Sequence, residues 1–402
     1  DGFVLGGRSA GPWLTAFAYG TSYFSAVVFV GYAGQFGWKY GLSSTWIGIG
    51  NAVIGSLLAW VVLGRRTKVM TQHLGSRTMP DFFGNRYGSR ALKIAASVIV
   101  FVFLVPYTAS IYNGLSRLFE MAFRIPYTVC VAGMAVFTGI YVILGGYMAT
   151  AINDFIQGII MLIGIVAVIA AVLSGQGGFL EAIRKMAEIP SNLPVTMGQP
   201  GAFTSFFGPA PWNLLGVIIL TSLGTWGLPQ MIGKFYAIKD EKSINTGTVI
   251  STLFACVVAG GSYFLGGFGR LFDSSEIYDE TGSVVFDSIV PHMLSSLPDL
   301  LIGIVVVLVL SASMSTLASL VLTSSSTLTL DFLKDNVMKN MSEKKQIRWM
   351  QFLVVFFIGL SVWIALDPST FIAQLMGISW GALAGAFLAP FLYGLYWKRV
   401  TR

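Results

Sequence analysis

Apolar runs of about twenty residues recur along the chain, and short polar segments separate them. An α-helix needs about 20 apolar residues to cross the hydrocarbon core of a bilayer, so runs of this kind predict membrane-spanning helices. Several runs contain Gly or Pro, which such helices tolerate where neighbouring helices satisfy the freed backbone groups. The sequence predicts ten spans, at residues 11–36, 46–64, 93–122, 128–147, 153–173, 212–233, 246–270, 299–330, 348–366 and 370–397.

Composition favours an integral membrane protein over a soluble one. Apolar residues make up 55% of the 402 residues and charged residues only 11%, whereas soluble domains are about 25% charged. The same balance excludes a nucleic-acid-binding domain, a disordered chain and a secreted disulfide scaffold. The sequence has no phosphate-binding loop that would use ATP, and no arrangement of Ser, Cys or paired carboxylates predicts an enzyme. It starts with Asp1, so we expect the numbering to begin within a longer chain.

The distribution of positive charge predicts the orientation in the bilayer. If residue 1 is cytoplasmic and the spans alternate, nineteen of the 25 Lys and Arg residues fall in cytoplasmic segments and five on the opposite side. Lys68, Lys234 and Arg402 belong to the cytoplasmic group. An excess of Lys and Arg marks cytoplasmic loops. We therefore expect a multi-pass protein of the plasma membrane with residue 1 on the cytoplasmic side.

The long loop at residues 174–211 divides the chain into two halves of five spans. An odd number of spans means that the second half runs through the membrane in the opposite direction, which is the plan of inverted-repeat transporters. The sequence thus predicts one transmembrane domain over residues 1–402, with a first repeat at 11–173 and a second at 212–397.

The first span of each half contains a matching interruption. A Gly-Thr pair occurs about ten residues into each span, within Ala18–Ser25 and Ser222–Pro229. Gly and Pro cost about 1 and 3 kcal/mol in a helix interior, and unwound backbone within a membrane must line a cavity or lie inside the protein. We expect broken first and sixth helices with a binding site between them. A simple kink or a close helix crossing is the alternative.

The eighth span carries hydroxyl side chains on one face. Ala312, Ser315, Thr316 and Ser319 follow the i, i+3, i+4, i+7 spacing of a helix. A hard cation such as Na⁺ prefers several oxygen ligands, and these hydroxyls could join carbonyls freed near Thr21. Close packing of small polar residues, with hydroxyls bonded to the preceding turn, is the alternative.

Asp154 is the only carboxylate near the start of the fifth span. An ionisable residue in such a segment suggests a functional role. Asp154 and Gln157 also have the spacing of a capping box that would begin the helix. Both interpretations stay open at this point.

Several motifs together resemble the sodium/solute symporter family, whose members include proline, pantothenate, sugar and sialic acid carriers. They cover nearly the whole chain and lie at Leu5–Ser9, Gly145–Ala149, Asn153–Gln157, Met314–Thr316 and Ser324–Ser326. Members usually have another helix before the first span and one or more after the tenth. The resemblance therefore implies that this chain is the ten-helix, all-α core of the family, with a five-plus-five inverted repeat and broken first and sixth helices.

The resemblance also implies a sodium site and its ligands. These are the carbonyls of Thr21, Phe24 and Ala312 and the hydroxyls of Ser315 and Thr316. Some members carry a second sodium site, whose counterpart here would use Asp154, Ser315 and Ser319. Ala318 replaces a hydroxyl of the clearest example of that second site.

The solute is less well indicated than the ion. The proline branch of the family has an aspartate at the position of Tyr23, a tryptophan at that of Val27, and aromatic residues at those of Thr221 and Thr225. The run Thr21–Ser25 is more similar to the pantothenate-like branch. The candidate contacts are neutral: Ser25, Tyr107, Thr221, Thr225, Trp226 and Pro229.

The expected function is Na⁺-driven import of a small organic solute by alternating access. An amino acid, a vitamin or an organic acid is favoured over a sugar, and the bilayer is the other partner. Two alternatives share the fold. One is a membrane sensor that binds solute without transport, and the other is a proton-coupled carrier that relies on Asp154.

Overall fold

The computed structural model describes residues 2–367 and 371–401, and this part of the chain is almost entirely helical. Its only β-type pairings within those residues are the isolated bridges Ala10–Ile238 and Tyr278–Val284. The predicted start of the tenth span at residue 370 and the charge of Arg402 lie outside the described residues.

The helices of the first half follow the five predicted spans. A Pro residue opens the first of them, where its missing N–H is not needed. The helices are α1 (Pro12–Thr21), α2 (Val27–Tyr32 continuing through Ala33–Tyr40), α3 (Thr45–Gly50 continuing to His73), α4 (Met79–Tyr87), α5 (Arg90–Phe123) and α6 (Tyr127–Gly175).

The second half begins after a short helix in the long loop. The helices are α7 (Phe179–Glu188) in that loop, α8 (Pro211–Leu223), α9 (Pro229–Ala237), α10 (Lys242–Gly266), α11 (Phe286–Ser295), α12 (Asp299–Thr327 continuing through Leu328–Val337), α13 (Glu343–Ala365) and α14 (Ile372–Tyr396).

Both predicted helix breaks are present. Residues 22–25 between α1 and α2 are not helical. Between α8 and α9 the chain forms a 3₁₀ turn at Gly224–Gly227, Leu228 is extended, and the two helices meet at 50°. The prediction of broken first and sixth helices is therefore confirmed.

Helix α6 contains the predicted fourth and fifth spans within one helical assignment of 49 residues. Thr138 Oγ1 lies 3.9 Å from Met314 Sδ, and a Cβ placed on Gly164 would lie 3.3 Å from the Leu308 side chain. At 1.5 Å per residue, positions 138 and 164 would be about 39 Å apart in a straight helix, but positions 308 and 314 only about 9 Å. Helix α6 therefore turns back between residues 138 and 164.

Eight segments of the described chain are long and apolar enough to cross a membrane, and the bent pair α8–α9 makes a ninth. One of the eight, Val27–His73, has 47 residues. A 3₁₀ turn at Gly41–Ser44 divides it, so it contains the end of the first predicted span and all of the second. Around the bundle, large apolar side chains such as those of Ile163 and Trp363 are exposed, as a lipid-facing surface requires.

The segment between α9 and α10 is held by the N-terminal residues. Ala10 N donates to Ala237 O at 3.3 Å, and Lys239 N donates to Ala10 O at 2.9 Å. Just beyond, Asp240 Oδ1 accepts from the backbone N and the hydroxyl of Ser243, each at 2.8 Å. These two hydrogen bonds lower the pKa of Asp240, which caps the start of α10.

Candidate functional site

The two helix breaks meet inside the protein. The Tyr23 hydroxyl in the first break is hydrogen-bonded to Thr225 Oγ1 in the sixth. Thr225 Oγ1 itself donates to Ser222 O at 2.8 Å. Because a threonine hydroxyl has one proton, Tyr23 must be the donor in the bond between the breaks. Both side chains are buried, so the contact lies in the interior.

Carbonyl oxygens converge on the hydroxyl of Thr316. Its Oγ1 lies 3.1 Å from Phe24 O, 3.2 Å from Ala312 O and 3.5 Å from Thr21 O. One hydroxyl can donate a single proton, so at most one of these three acceptors is satisfied by Thr316 at a time. Thr21 O also accepts from Phe24 N at 3.1 Å, but each carbonyl oxygen has two lone pairs, so the group still offers lone pairs that a cation could use.

The remaining predicted ligand completes this oxygen cluster. Ser315 Oγ donates to Thr21 Oγ1 at 2.9 Å, so Thr21 contributes its side chain as well as its carbonyl. All five residues are buried. Oxygen ligands at 2.3–2.6 Å from a hard cation lie about 3.3–3.7 Å apart when they subtend a right angle. The separations around Thr316 are close to this range, and the sequence prediction of one cluster from Thr21, Phe24, Ala312, Ser315 and Thr316 describes what the fold brings together.

Ser313, which was not predicted, also supports the break. Ser313 Oγ accepts from Ala26 N at 3.1 Å, at the start of α2. The eighth span therefore contacts both sides of the first break, through Thr316 on one side and Ser313 on the other. The run of small polar residues from 311 to 319 was the available sequence signal.

Asp154 and Ser319, the predicted residues of a second ion site, face Lys234. Lys234 Nζ donates to Ser319 Oγ at 2.9 Å and lies 3.8 Å from Asp154 Oδ2. The lysine side chain is 4% exposed and the aspartate side chain 0%. The capping-box interpretation of Asp154 is wrong, since Asp154 is helical and lies four residues inside the span Thr150–Gly175, not at its N-cap.

Lys234 is a residue whose importance the sequence reasoning missed. The sequence places Lys234 in a cytoplasmic segment, just beyond the predicted span 212–233. In the structure its side chain is buried on α9. Lys68 is likewise buried and donates to the carbonyl of Ile238. A sequence signal for the burial of Lys234 was available. Lys234 lies about one turn after a Pro-containing break, where the second part of the broken helix continues inside the protein.

Two of the sequence motifs, Leu5–Ser9 and Gly145–Ala149, come together near Lys234. Its ammonium lies 5.5 Å from the ring centre of Tyr147, and a Cβ on Gly6 would lie 3.1 Å from that ring. Gly6 and Gly7 have φ of +57° and +65°, which favours glycine. Arg8 then donates to Ser76 O at 2.6 Å and to Tyr236 O at 3.3 Å. The N-terminal motif therefore fixes the end of α9 that carries Lys234.

All six candidate solute contacts are buried, but their hydrogen-bond partners and packing differ. Thr225 reaches Tyr23, as described above. Trp226 Nε1 donates to Ile54 O at 3.1 Å, and Thr221 Oγ1 donates to Val217 O at 2.9 Å. The Tyr107 ring packs against Trp380 with centroids 5.9 Å apart, and Ser25 Oγ accepts from Val27 N at 3.2 Å.

Pro229, unlike the other five candidates, lines a small cavity of about 50 Å³. This cavity begins at Lys234 and reaches the end of the bundle that holds Arg77. None of the other five lines it. Its polar lining includes Thr78, Thr150, Gln230, Lys234, Ser319 and Ser326.

Comparisons with known proteins identify the family of the chain. The sodium:solute symporter family model matches residues 3–402. Sodium/proline symporter 2 of Staphylococcus saprophyticus is 32% identical over 415 residues, which cover 100% of this chain and 76% of that protein. The sodium/proline symporter of Staphylococcus aureus is 33% identical over 417 residues, with the same coverage.

Solved structures share the fold at low sequence identity. A substrate-bound, outward-open Na⁺-coupled sialic acid symporter has a TM-score of 0.78 and 13% identity, covering 100% of this chain and 82% of that one. Mhp1, a nucleobase-cation-symport-1 family transporter in a closed conformation, has a TM-score of 0.62 and 12% identity, covering 97% and 78%. The chain belongs to the sodium:solute symporter family, and it is a sodium-coupled symporter of a small solute, not an enzyme.

Proposed function

We propose that Thr21, Phe24, Ala312, Ser315 and Thr316 bind the coupling Na⁺. The observation that carries this proposal is the hydroxyl of Thr316, which lies within 3.5 Å of three carbonyl oxygens. A cation between these oxygens would use carbonyl lone pairs that the single Thr316 proton leaves free. It would also tie the break between α1 and α2 to helix α12.

Na⁺ bound there couples to solute through the broken first helix. The ion holds the break against α12, and the solute then binds on the other side of the break, next to the sixth helix. An ion couples to solute only if it binds the alternating conformations with different affinity. The break provides that difference, because its carbonyls converge only when α1 and α2 are positioned as here.

The membrane arrangement follows from the charge distribution and the repeats. The chain is one transmembrane domain, with inverted repeats at residues 11–173 and 212–397. It lies in the plasma membrane with residue 1 in the cytoplasm, and it imports its solute by alternating access. The excess of Lys and Arg on the segments assigned to the cytoplasm supports this orientation.

The proposed solute is a small organic molecule, with an amino acid as the first candidate because the relatives are named for proline. A vitamin or a short organic acid is the next candidate, ahead of a sugar. Its proposed contacts are neutral side chains that offer hydrogen bonds and aromatic faces: Ser25, Tyr107, Thr221, Thr225, Trp226 and Pro229.

Removing a sodium ligand tests the ion site. We expect Thr316→Ala to raise the Na⁺ concentration for half-maximal uptake by about tenfold or more, because a hydrogen-bond-strength interaction with a charged group is worth about 1.5–3 kcal/mol. Ser315→Ala should act in the same direction, and Thr316→Ser should retain most of the wild-type response. Uptake into proteoliposomes at a series of Na⁺ concentrations measures the effect.

Ser325→Ala is the matched control for these variants. Ser325 lies on the same helix, is buried, and bonds only to carbonyls of its own preceding turn, with the shorter bond to Val321 O at 2.7 Å. Its Na⁺ dependence should equal that of the wild type. An unchanged Na⁺ requirement in both Thr316→Ala and Ser315→Ala would contradict the site, and uptake that follows a pH gradient without Na⁺ would contradict sodium coupling.

The solute can be identified by thermal stability of the purified protein. A ligand that binds the folded state stabilises it in proportion to the logarithm of its concentration over Kd. Proline and other amino acids, pantothenate, short organic acids and sugars should each be tested with Na⁺ and with K⁺. The solute is the compound whose stabilisation requires Na⁺, and stabilisation by a sugar alone would contradict the proposed class.

A further inference from the structure

We propose that the Lys234 ammonium takes the place of a second sodium ion between Asp154 and Ser319, so that this carrier binds one Na⁺ in each cycle. The inference rests on the proposed function, since it counts the ions of that same symport cycle. It concerns residues next to the oxygen cluster at Thr316, since Asp154 lies close to the Ser315 hydroxyl.

The ammonium is at the position that a second cation would need. It is 2.9 Å from Ser319 Oγ and 3.8 Å from Asp154 Oδ2, and it faces the ring of Tyr147. These partners come from α6 and α12, the two helices that would have to supply the ligands of a second ion. A positively charged group of the protein is therefore already bound by the hydroxyl and the carboxylate of that predicted site.

Charge balance makes the ammonium difficult to displace. A buried carboxylate needs a compensating charge, and Asp154, which lies close to the Ser315 hydroxyl, is fully buried. Lys234 is the only basic side chain paired with Asp154 within the described part of the chain. A sodium ion bound to Asp154 and Ser319 would lie beside the ammonium, and two like charges in a medium of low dielectric repel strongly.

The side chains that could bind a second sodium ion also agree with this proposal. Ala318, next to Ser319, provides no oxygen from its side chain. Lys234 is fixed by α9, the second part of the broken sixth helix, whose end is held by Arg8 through Tyr236 O. Its charge stays with the protein throughout the cycle, and only the ion at Thr316 is carried across the membrane.

Equilibrium binding of radioactive ²²Na⁺ to the purified full chain in detergent tests the inference without a known solute. We expect saturation at one Na⁺ per protein. We expect Thr316→Ala to lose this binding, and the charge-neutral pair Lys234→Met with Asp154→Asn to retain one Na⁺. Saturation at two Na⁺ in the wild type would overturn the inference while leaving sodium coupling intact, whereas the absence of any Na⁺ binding would overturn the proposed function itself.

A gain of binding provides the sharper test. Lys234→Gln combined with Ala318→Ser removes the ammonium, leaves Asp154 charged and adds a hydroxyl, so we expect saturation at two Na⁺. Lys239→Gln, in the exposed segment after α9, is the matched control and should stay at one. A Lys234→Gln, Ala318→Ser protein that binds the first ion normally but no second would overturn the claim that the ammonium excludes it.

Discussion

A single hydroxyl proton determines how the two helix breaks are connected. Thr225 directs its proton to Ser222 O, so it can only accept from Tyr23. Tyr19, one turn before Tyr23, donates instead to the backbone of α3 at Gly55 O, at 2.9 Å. Two tyrosines on one broken helix thus differ: the Tyr23 hydroxyl bonds to the sixth break, whereas the Tyr19 hydroxyl bonds to α3 and its ring packs against Phe235 of α9.

We predict that Tyr23→Phe impairs transport more than Tyr19→Phe. The Phe variant leaves Thr225 Oγ1 without its donor, and an unsatisfied buried polar group costs about 1–3 kcal/mol. Na⁺-driven uptake should fall by about tenfold in Tyr23→Phe, while both variants lose a similar amount of thermal stability. Equal uptake in the two variants would show that the bond between the breaks does not contribute to transport.

At the scale of helices, one close crossing positions the first broken span. A Cβ on Gly37 of α2 would overlap the carbonyl group of Gly266 at the end of α10, and a Cβ on Gly266 would overlap the backbone at Ala33. The two helices therefore touch backbone to backbone. Since α2 continues directly from the break at residues 22–25, this crossing fixes the direction in which Phe24 presents its carbonyl.

Gly37→Ala should therefore destabilise the protein although alanine favours helix. Overpacking of this kind costs about 1–3 kcal/mol, more than the gain of about 1 kcal/mol in helix propensity. We expect a lower melting temperature in detergent and weaker Na⁺ binding. Gly303→Ala on α12, where a Cβ meets nothing within 4 Å, is the control, and equal melting temperatures for the two variants would contradict the crossing.

The elements that the sequence predicted well are those determined by local chemistry. Apolar runs located the spans, and the Gly-Thr pairs located the breaks, because both depend on residues close together in the chain. The ends were less accurate: the eighth span extends from residue 330 to Val337, and α6 continues through the expected start at 153. The five residues proposed to bind Na⁺ come from helical spacing for Ala312, Ser315 and Thr316, and from the family resemblance for Phe24.

Lys234 was missed because its burial is a property of the tertiary fold. Its environment is created by the 50° bend before α9 and by contacts with Ser319 and Tyr147, which are 85 and 87 positions away in the sequence. Apart from its place shortly after the Pro-containing break, no local pattern distinguishes it from the exposed Lys239. The same applies to the candidate solute contacts, whose positions depend on how α5, α8 and α14 pack around the sixth break.

For the whole molecule, the number of ions carried sets the limit of solute accumulation. A membrane potential of about 100 mV supplies about 2.3 kcal/mol per charge, and a tenfold Na⁺ gradient adds about 1.4 kcal/mol. With Lys234 fixed in place of a second ion, one Na⁺ drives each neutral solute molecule. The total of about 3.7 kcal/mol corresponds to an accumulation of about 500-fold.

We predict that proteoliposomes held at these gradients reach a plateau near 500-fold for a neutral solute identified by the stability screen. Collapsing the potential should reduce the plateau to about tenfold, since only the Na⁺ gradient remains. Two ions would square the limit to more than about 10⁵. A leak lowers any plateau but cannot raise it, so accumulation well above 1,000-fold would contradict one-ion coupling, whereas a plateau that falls tenfold for each tenfold loss of Na⁺ gradient would support it.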